Sequence, residues 1–470
     1  MSIAKTIIYG SVSEVAHVAR NAEKIDVVDE YGYTPLIQTV ICNDIEKLDA
    51  VLAAKPDVNF PDLTGRTALH WAADNNNYAI CEKLLSAGAD PNAYTLAGQP
   101  VLVMPLLRQH QRVKHLLYQY KADLNFAQDF INAKSLGHRF ELEGRVDIVD
   151  TKLNFLEMEF EGFYLEFSLA MALSSFRDYL NHYAAKHWRD IYHLTRRIGD
   201  AFVTACELLK FQHYLMDIAK HRQQIDSLLH AAPLVIPVAF AGHAITLVHW
   251  HDILIRCDRG AYGRDHGTVI IYRIGNTSKF NRNFIKNLIY KRQDRHFIDD
   301  GLVQALDLTT ITTLPLSVQI SGNCSWANVE AVIPAMLYLL IMEESKIQSQ
   351  KQIDYARHIA MTFFDEWMQW DQARALDFSL QSIAQCSPAR KASKGAMLMA
   401  VMYQHFEYGN LDDEAKAERI LKLLSQDDYA YIVKSYIKVF EKFRKTDRLS
   451  NVYQFLENYG IDVERFMQGF

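Results

Sequence analysis

The chain has 470 residues, enough for two to four domains at about 100 to 200 residues each, so a disulfide-stapled miniprotein is excluded. Apolar residues make up 49% and charged residues 23%, which excludes a disordered or collagen-like chain. With 50 basic against 56 acidic residues the formal charge is −6, so neutralising nucleic-acid phosphates cannot be its main business.

The six cysteines (Cys42, Cys81, Cys206, Cys257, Cys324, Cys386) show no CxxC pairing, so no zinc ribbon or disulfide framework is written and no metal or cofactor is expected. The N-terminus lacks the apolar core and small-residue cleavage site of a Sec signal. The longest apolar run, Ala331 to Met342, is short for a bilayer, so membrane insertion is not expected.

From the start, Gly32, Gly65 and Gly98 recur every 33 residues, as do Asn59, Asn92 and Asn125. In the middle unit, Asp62 to Asn92, Thr67 can cap a helix with Leu69, Ala72 and Ala73 on its apolar face. Ile80, Leu84 and Leu85 line a second helix that Gly88 can end. TPLIQTV (Thr34 to Val40) and TALHWAA (Thr67 to Ala73) resemble the ankyrin repeat, over about residues 1 to 140. That resemblance implies an N-terminal cap, two good repeats and a degraded third, in which Pro100 and Val101 replace Thr-Pro, and a protein-binding solenoid. Most repeat residues serve packing. Binding is expected at hairpin tips and exposed positions: Tyr31, Tyr33, Arg66, Trp71, Asn75, Asn76, Asn77 and Tyr78.

After Gly137 the pattern alternates with period near two, as in half-buried strands, over about 139–165. Helical periodicity follows over 167–229. Five β-branched runs then suggest one sheet: PLVIPVAF, HAITLVHW, DILIRCD, TVIIYRI and LPLSVQI. The basic stretch Lys279 to Arg295 interleaves charges with Phe280, Phe284, Leu288 and Ile289 and reads as an amphipathic helix. GAYGRDHGT, with Asp265 and His266, reads as a glycine-rich loop without nucleotide-binding spacing. Residues 346–470 read as helices.

A turn at Trp250-His251 pairs residues whose numbers sum to 501, which sets His243 opposite Asp258, near enough for a carboxylate to orient an imidazole. Cys324 follows a Gly-Asn turn and opens an apolar helical run, where main-chain N–H groups favour a thiolate and can hold an oxyanion. Gln319 could supply a second oxyanion donor, and Trp326 is expected to narrow the cleft.

The order His243, Asp258, Gln319, Cys324 resembles the papain-like clan CE cysteine proteases, which include SUMO- and NEDD8-deconjugating enzymes and bacterial acetyltransferase effectors. The resemblance implies Cys324 as nucleophile, His243 as general base, Asp258 as its orienter and Gln319 as oxyanion donor.

The expected fold is a multidomain α+β chain: ankyrin repeats at 1–138, a clan CE-like α+β domain at 139–345 with its catalytic core at 230–345, and a helical domain at 346–470. Ankyrin repeats followed by GNCSWAN and a helical tail also resemble the ankyrin-repeat effectors of Legionella. This implies type IV secretion into a eukaryotic host, action in the host cytoplasm or nucleus, a host protein bound by the repeats, and a protein or ubiquitin-like substrate. A monomer without direct nucleic-acid binding is expected. Two alternatives use the same residues: a non-catalytic binding scaffold, and an acyltransferase working through the same thiol.

Overall fold

The computed structural model describes residues 3–463 except 31, 161, 163, 212–220, 241, 321, 346–348, 405 and 443–446, with the backbone alone at 436, 437, 439–442 and 447–452. The chain divides into two compact units: residues 1–96, 104–122 and 162–368 form the first, and 97–103, 123–161 and 369–470 the second.

In the first unit, each full repeat is a helix pair, Pro35–Ile41 with Ile45–Leu52 and Ala68–Asp74 with Tyr78–Ser86. The Thr34 hydroxyl caps its helix by accepting the Ile37 N–H, and His70 reaches back to the Thr67 N–H. The asparagine ladder has a direct cause. Asn59 donates to Gly88 O at 3.2 Å and accepts the Asp90 N–H at 2.7 Å, while Asn92 donates to Lys121 O at 3.0 Å, so each tie joins one repeat to the next. Gly65 has φ +84° and would set a Cβ 2.5 Å from the Leu96 nitrogen, so only glycine fits that hairpin. In the degraded third repeat the first helix shrinks to Val103–Leu107, because Pro100 stands where Thr67 caps and Pro105 removes an N–H from the first turn.

Seven strands occur among the described residues: β1 (Arg145–Val149), β2 (Phe155–Glu159), β3 (Leu234–Phe240), β4 (His243–Trp250), β5 (Ile253–Cys257), β6 (Val269–Ile274) and β7 (Leu308–Leu314). β1 and β2 form a hairpin in the second unit; β3 to β7 form an antiparallel meander in the first. The fifth strand is LTTITTL rather than the expected LPLSVQI. Pro315 offers no N–H after Leu314, and side chains hold the next residues: Leu316 N–H donates to the Thr268 hydroxyl, and the Arg259 guanidinium bonds Ser317. The basic stretch does form a helix, Arg282–Tyr290, whose Ile285, Leu288 and Ile289 pack with Ile236, Leu247 and Leu254 in one core. GAYGRDHGT contains a short helix, Ala261–His266, rather than an open loop.

The stretch Cys324–Ser345 has the length and hydropathy of a bilayer-spanning helix, longer than the apolar run Ala331 to Met342 suggests, but 89% of its apolar 18-residue core is buried in the protein. It packs against β4.

The second unit gathers the helix Leu124–Arg139, the β1–β2 hairpin and the C-terminal helices. Segment 139–165 was expected with the cysteine-bearing sheet. Its hairpin instead packs on the helix Pro388–Gln404, where the Ser393 hydroxyl donates to Asp147 O. Buried charges finish this core: Arg139 pairs with Asp371 at 2.6 Å, and Asp129 takes Arg390 and Lys394 at 2.7 and 2.8 Å. The helix Gln350–Ser382 runs through the division at 368, so the expected boundary at 345 does not separate the units.

Candidate active site

β4 and β5 are joined by a two-residue turn at His251-Asp252, with His251 in the left-handed region at φ +54°. Observed partners sum to 503, as in Leu247↔Arg256, instead of 501. A shift of two residues keeps the face, so His243 and Asp258 become diagonal neighbours on one side of the sheet. Their side chains meet, with His243 Nε2 3.0 Å from Asp258 Oδ1.

Cys324 begins the helix Cys324–Glu330 after Gly322, which has φ +81°. Its half-buried thiol hydrogen-bonds His243. Burial alone would raise the thiol pKa, but the His243 hydrogen bond and charge, with the main-chain N–H groups of Ala244 and Ser325, bring it below the ordinary value. For His243, burial lowers the pKa, yet the hydrogen bonds to Asp258 and Cys324 and both negative charges outweigh it and raise it to about 9. Both shifts run in the direction that favours the proton on the imidazole over the thiol.

Asp258 is buried. Burial pushes its pKa up, but His243 and Arg256 together hold it below the usual carboxylate range. Arg256, also buried, donates to Asp258 Oδ2 at 2.8 Å, to Asp299 Oδ1 at 2.7 Å and to Ile298 O at 2.7 Å, and lies 3.5 Å from the centre of the Tyr262 ring. The Gly260 N–H donates to Asp258 Oδ1 at 3.1 Å. With both oxygens engaged, the carboxylate has one orientation.

His243, Asp258 and Cys324 thus form one hydrogen-bonded chain. Gln319 is fixed by its main chain, which donates to Arg259 O at 2.9 Å, while its side-chain Oε1 is buried without a hydrogen-bond partner. Trp326 does not narrow the cleft: it is fully buried against Phe167, with its Nε1 donating to Glu330. Arg256, Gly260 and Asn328 belong to the site and were missed, since each reads as an isolated break in an apolar or glycine-containing run. Only their place relative to Asp258 and Cys324 distinguishes them.

Of the residues expected on the binding face of the repeats, Trp71 is buried, with Tyr33 against its edge, Arg66 over its ring and its Nε1 donating to Asp62. Arg66 also pairs with Asp74, and the charge of Glu166 acts on both. Trp71 and Arg66 are therefore spent on packing, because the indole and guanidinium satisfy the buried Asp62 and Asp74. Asn77 caps the helix Tyr78–Ser86, and Tyr78 bonds Glu82 beneath the Arg112 guanidinium. Asn76 is exposed, Asn75 is half-buried, and Tyr31 lies outside the described residues.

The ankyrin-repeat family matches residues 3–95 in three copies. Inversin of Gallus gallus is 32% identical over 105 residues, and human Ankyrin repeat and SOCS box protein 3 is 33% identical over 90. These matches cover 22% and 18% of this chain and only 10% and 17% of those proteins. The solved structure of the Legionella effector AnkH is similar throughout: TM-score 0.90, 41% identity, and 98% of each chain covered.

Proposed function

Because the chain belongs to the family of the Legionella effector AnkH, we propose that it is delivered by a type IV system into a eukaryotic host, binds a host protein through its repeats, and cleaves an amide or isopeptide bond with Cys324. The observation that carries the catalytic part is the chain Cys324–His243–Asp258, with the thiol pKa lowered at a helix start. In this mechanism the thiolate attacks the carbonyl carbon, the imidazolium gives its proton to the departing amine, and a thioester forms. Water then adds as His243 takes its proton, the acid leaves and the thiol is restored. Gln319 would donate to the oxyanion with its amide turned so that Nε2 faces the thiol. The family resemblance to clan CE proteases supports a protein or ubiquitin-like substrate.

For the host partner, the hairpin tips are the favoured surface. Leu63 and Leu96, one repeat apart, stand 68% and 79% exposed, whereas Arg66 and Trp71 are engaged within the unit.

The test is iodoacetamide alkylation from pH 5 to 10, read by mass spectrometry. Cys42 and Cys386, also half-buried, are internal controls. Cys324 is expected to react at a steady rate well below pH 8.5, and His243→Ala to slow it about tenfold at pH 6.5. A Cys324 that follows the controls would overturn the catalytic reading and leave a binding scaffold.

A further inference from the structure

We propose that Asn328 is a positioning residue that fixes the distance between the Cys324 thiol and the His243–Asp258 pair. This inference rests on the catalytic reading of Cys324 above. Asn328 lies on the same helix as Cys324, four residues on and therefore one turn along the same face. It has no solvent exposure, and both ends of its carboxamide are used. Nδ2 donates to Ala244 O at 2.7 Å, and Oδ1 accepts the Arg259 N–H at 2.6 Å.

Each anchor is the chain neighbour of a triad member: Ala244 follows His243, and Arg259 follows Asp258. Ala244 is engaged twice, since its N–H also bonds the Cys324 thiol. One side chain therefore crosses three elements, the start of β4, the residues just beyond β5 and the cysteine helix, at the point where each carries its reacting group. A carboxamide suits this task because it presents one donor and one acceptor at a fixed separation. An aspartate would set oxygen against the Ala244 carbonyl, and a leucine of similar shape would strand a buried carbonyl and a buried N–H.

Arg259 extends the same bracing. Its guanidinium holds Ser317, and its carbonyl accepts the Gln319 N–H. Asn328 thus also references the strap that carries the candidate oxyanion donor.

The experiment is the alkylation profile of Asn328→Leu, which keeps the branched outline of the side chain, removes both hydrogen bonds and adds no charge to the thiol's surroundings. The apparent pKa of Cys324 is expected to rise by at least about one unit, with about tenfold slower reaction at pH 6.5. Cys42 and Cys386 should keep their wild-type profiles, and buried Cys81, Cys206 and Cys257 should stay unreactive, a pattern that general loosening would not give. An unchanged Cys324 profile overturns the inference. Should the leucine variant fail to fold, as alkylation of the buried cysteines would reveal, Asn328→Ser is read by the same two outcomes. A wild-type Cys324 without early reactivity removes the catalytic reading itself; a reactive wild type with an equally reactive Asn328→Leu removes only the positioning role.

Discussion

A methyl group at position 260 would lie 2.8 Å from Cε1 of His243 and 3.2 Å from Asp258 Oδ1. Gly260 has φ −83°, open to any residue, so its requirement is space beside the imidazole and not backbone freedom. Gly260→Ala is expected to displace the ring and slow Cys324 alkylation at pH 6.5 about tenfold, while crowding costs about 1–3 kcal/mol in denaturant unfolding. A second prediction concerns Asp258. Its folded pKa is lowered, so its contribution to stability is fully present above the unfolded carboxyl value of about 3.9 and is lost as pH falls through the lowered one. Asp258→Asn should therefore melt below wild type at pH 7, and the gap should narrow on acidification; a gap constant from pH 7 to 3 would contradict this. His243, Asp258 and Cys324 were legible in the sequence because their order and local contexts carry chemistry. Arg256 and Asn328 were not. A lone arginine in DILIRCD and a lone asparagine in CSWANVEAV reveal a purpose only when the chain brings Asp299, Ala244 and Arg259 beside them.

Elements were read best where side chains advertise their burial. β3 to β6 follow the apolar runs, but β7 does not: in Leu308–Leu314 four threonines replace the apolar alternation, since this is an edge strand with most of its residues in solvent. The β4–β5 register was misjudged because Trp250 looked like a turn residue. The indole is instead the last paired position of β4, covered by the Arg197 guanidinium. The parity survived the error, and so did the pairing of His243 with Asp258. Trp326 belongs to this scale as well. It anchors the cysteine helix against Phe167, so Trp326→Ala is expected to cost about 3–5 kcal/mol in urea unfolding. A loss below about 1 kcal/mol would show that the helix is held elsewhere.

At the scale of the molecule, the repeats were plain from a 33-residue period, whereas the division into units was hidden, because the second unit is collected from three separate stretches. Nothing local in residues 123–161 announces partners beyond 368. A chain ending at 345 would deprive Arg139 of Asp371, and Asp129 of Arg390 and Lys394, and would uncover the apolar Val146, Ile148 and Val149 of β1. Such a truncation should elute as aggregate and melt without a second cooperative transition; a monodisperse fragment with a full transition would refute the assignment.

These long-range pairs also impose a timetable on synthesis. Asp371 follows Arg139 by 232 residues. At about 5–20 residues per second, a ribosome needs roughly 12–46 s to supply it. Throughout that interval Val146 and Ile148 of β1, buried in the finished unit, have no Pro388–Gln404 helix to cover them. The nascent chain is thus obliged to carry an unfinished second unit until its last quarter emerges, and during that time a chaperone can engage it without first having to unfold that part.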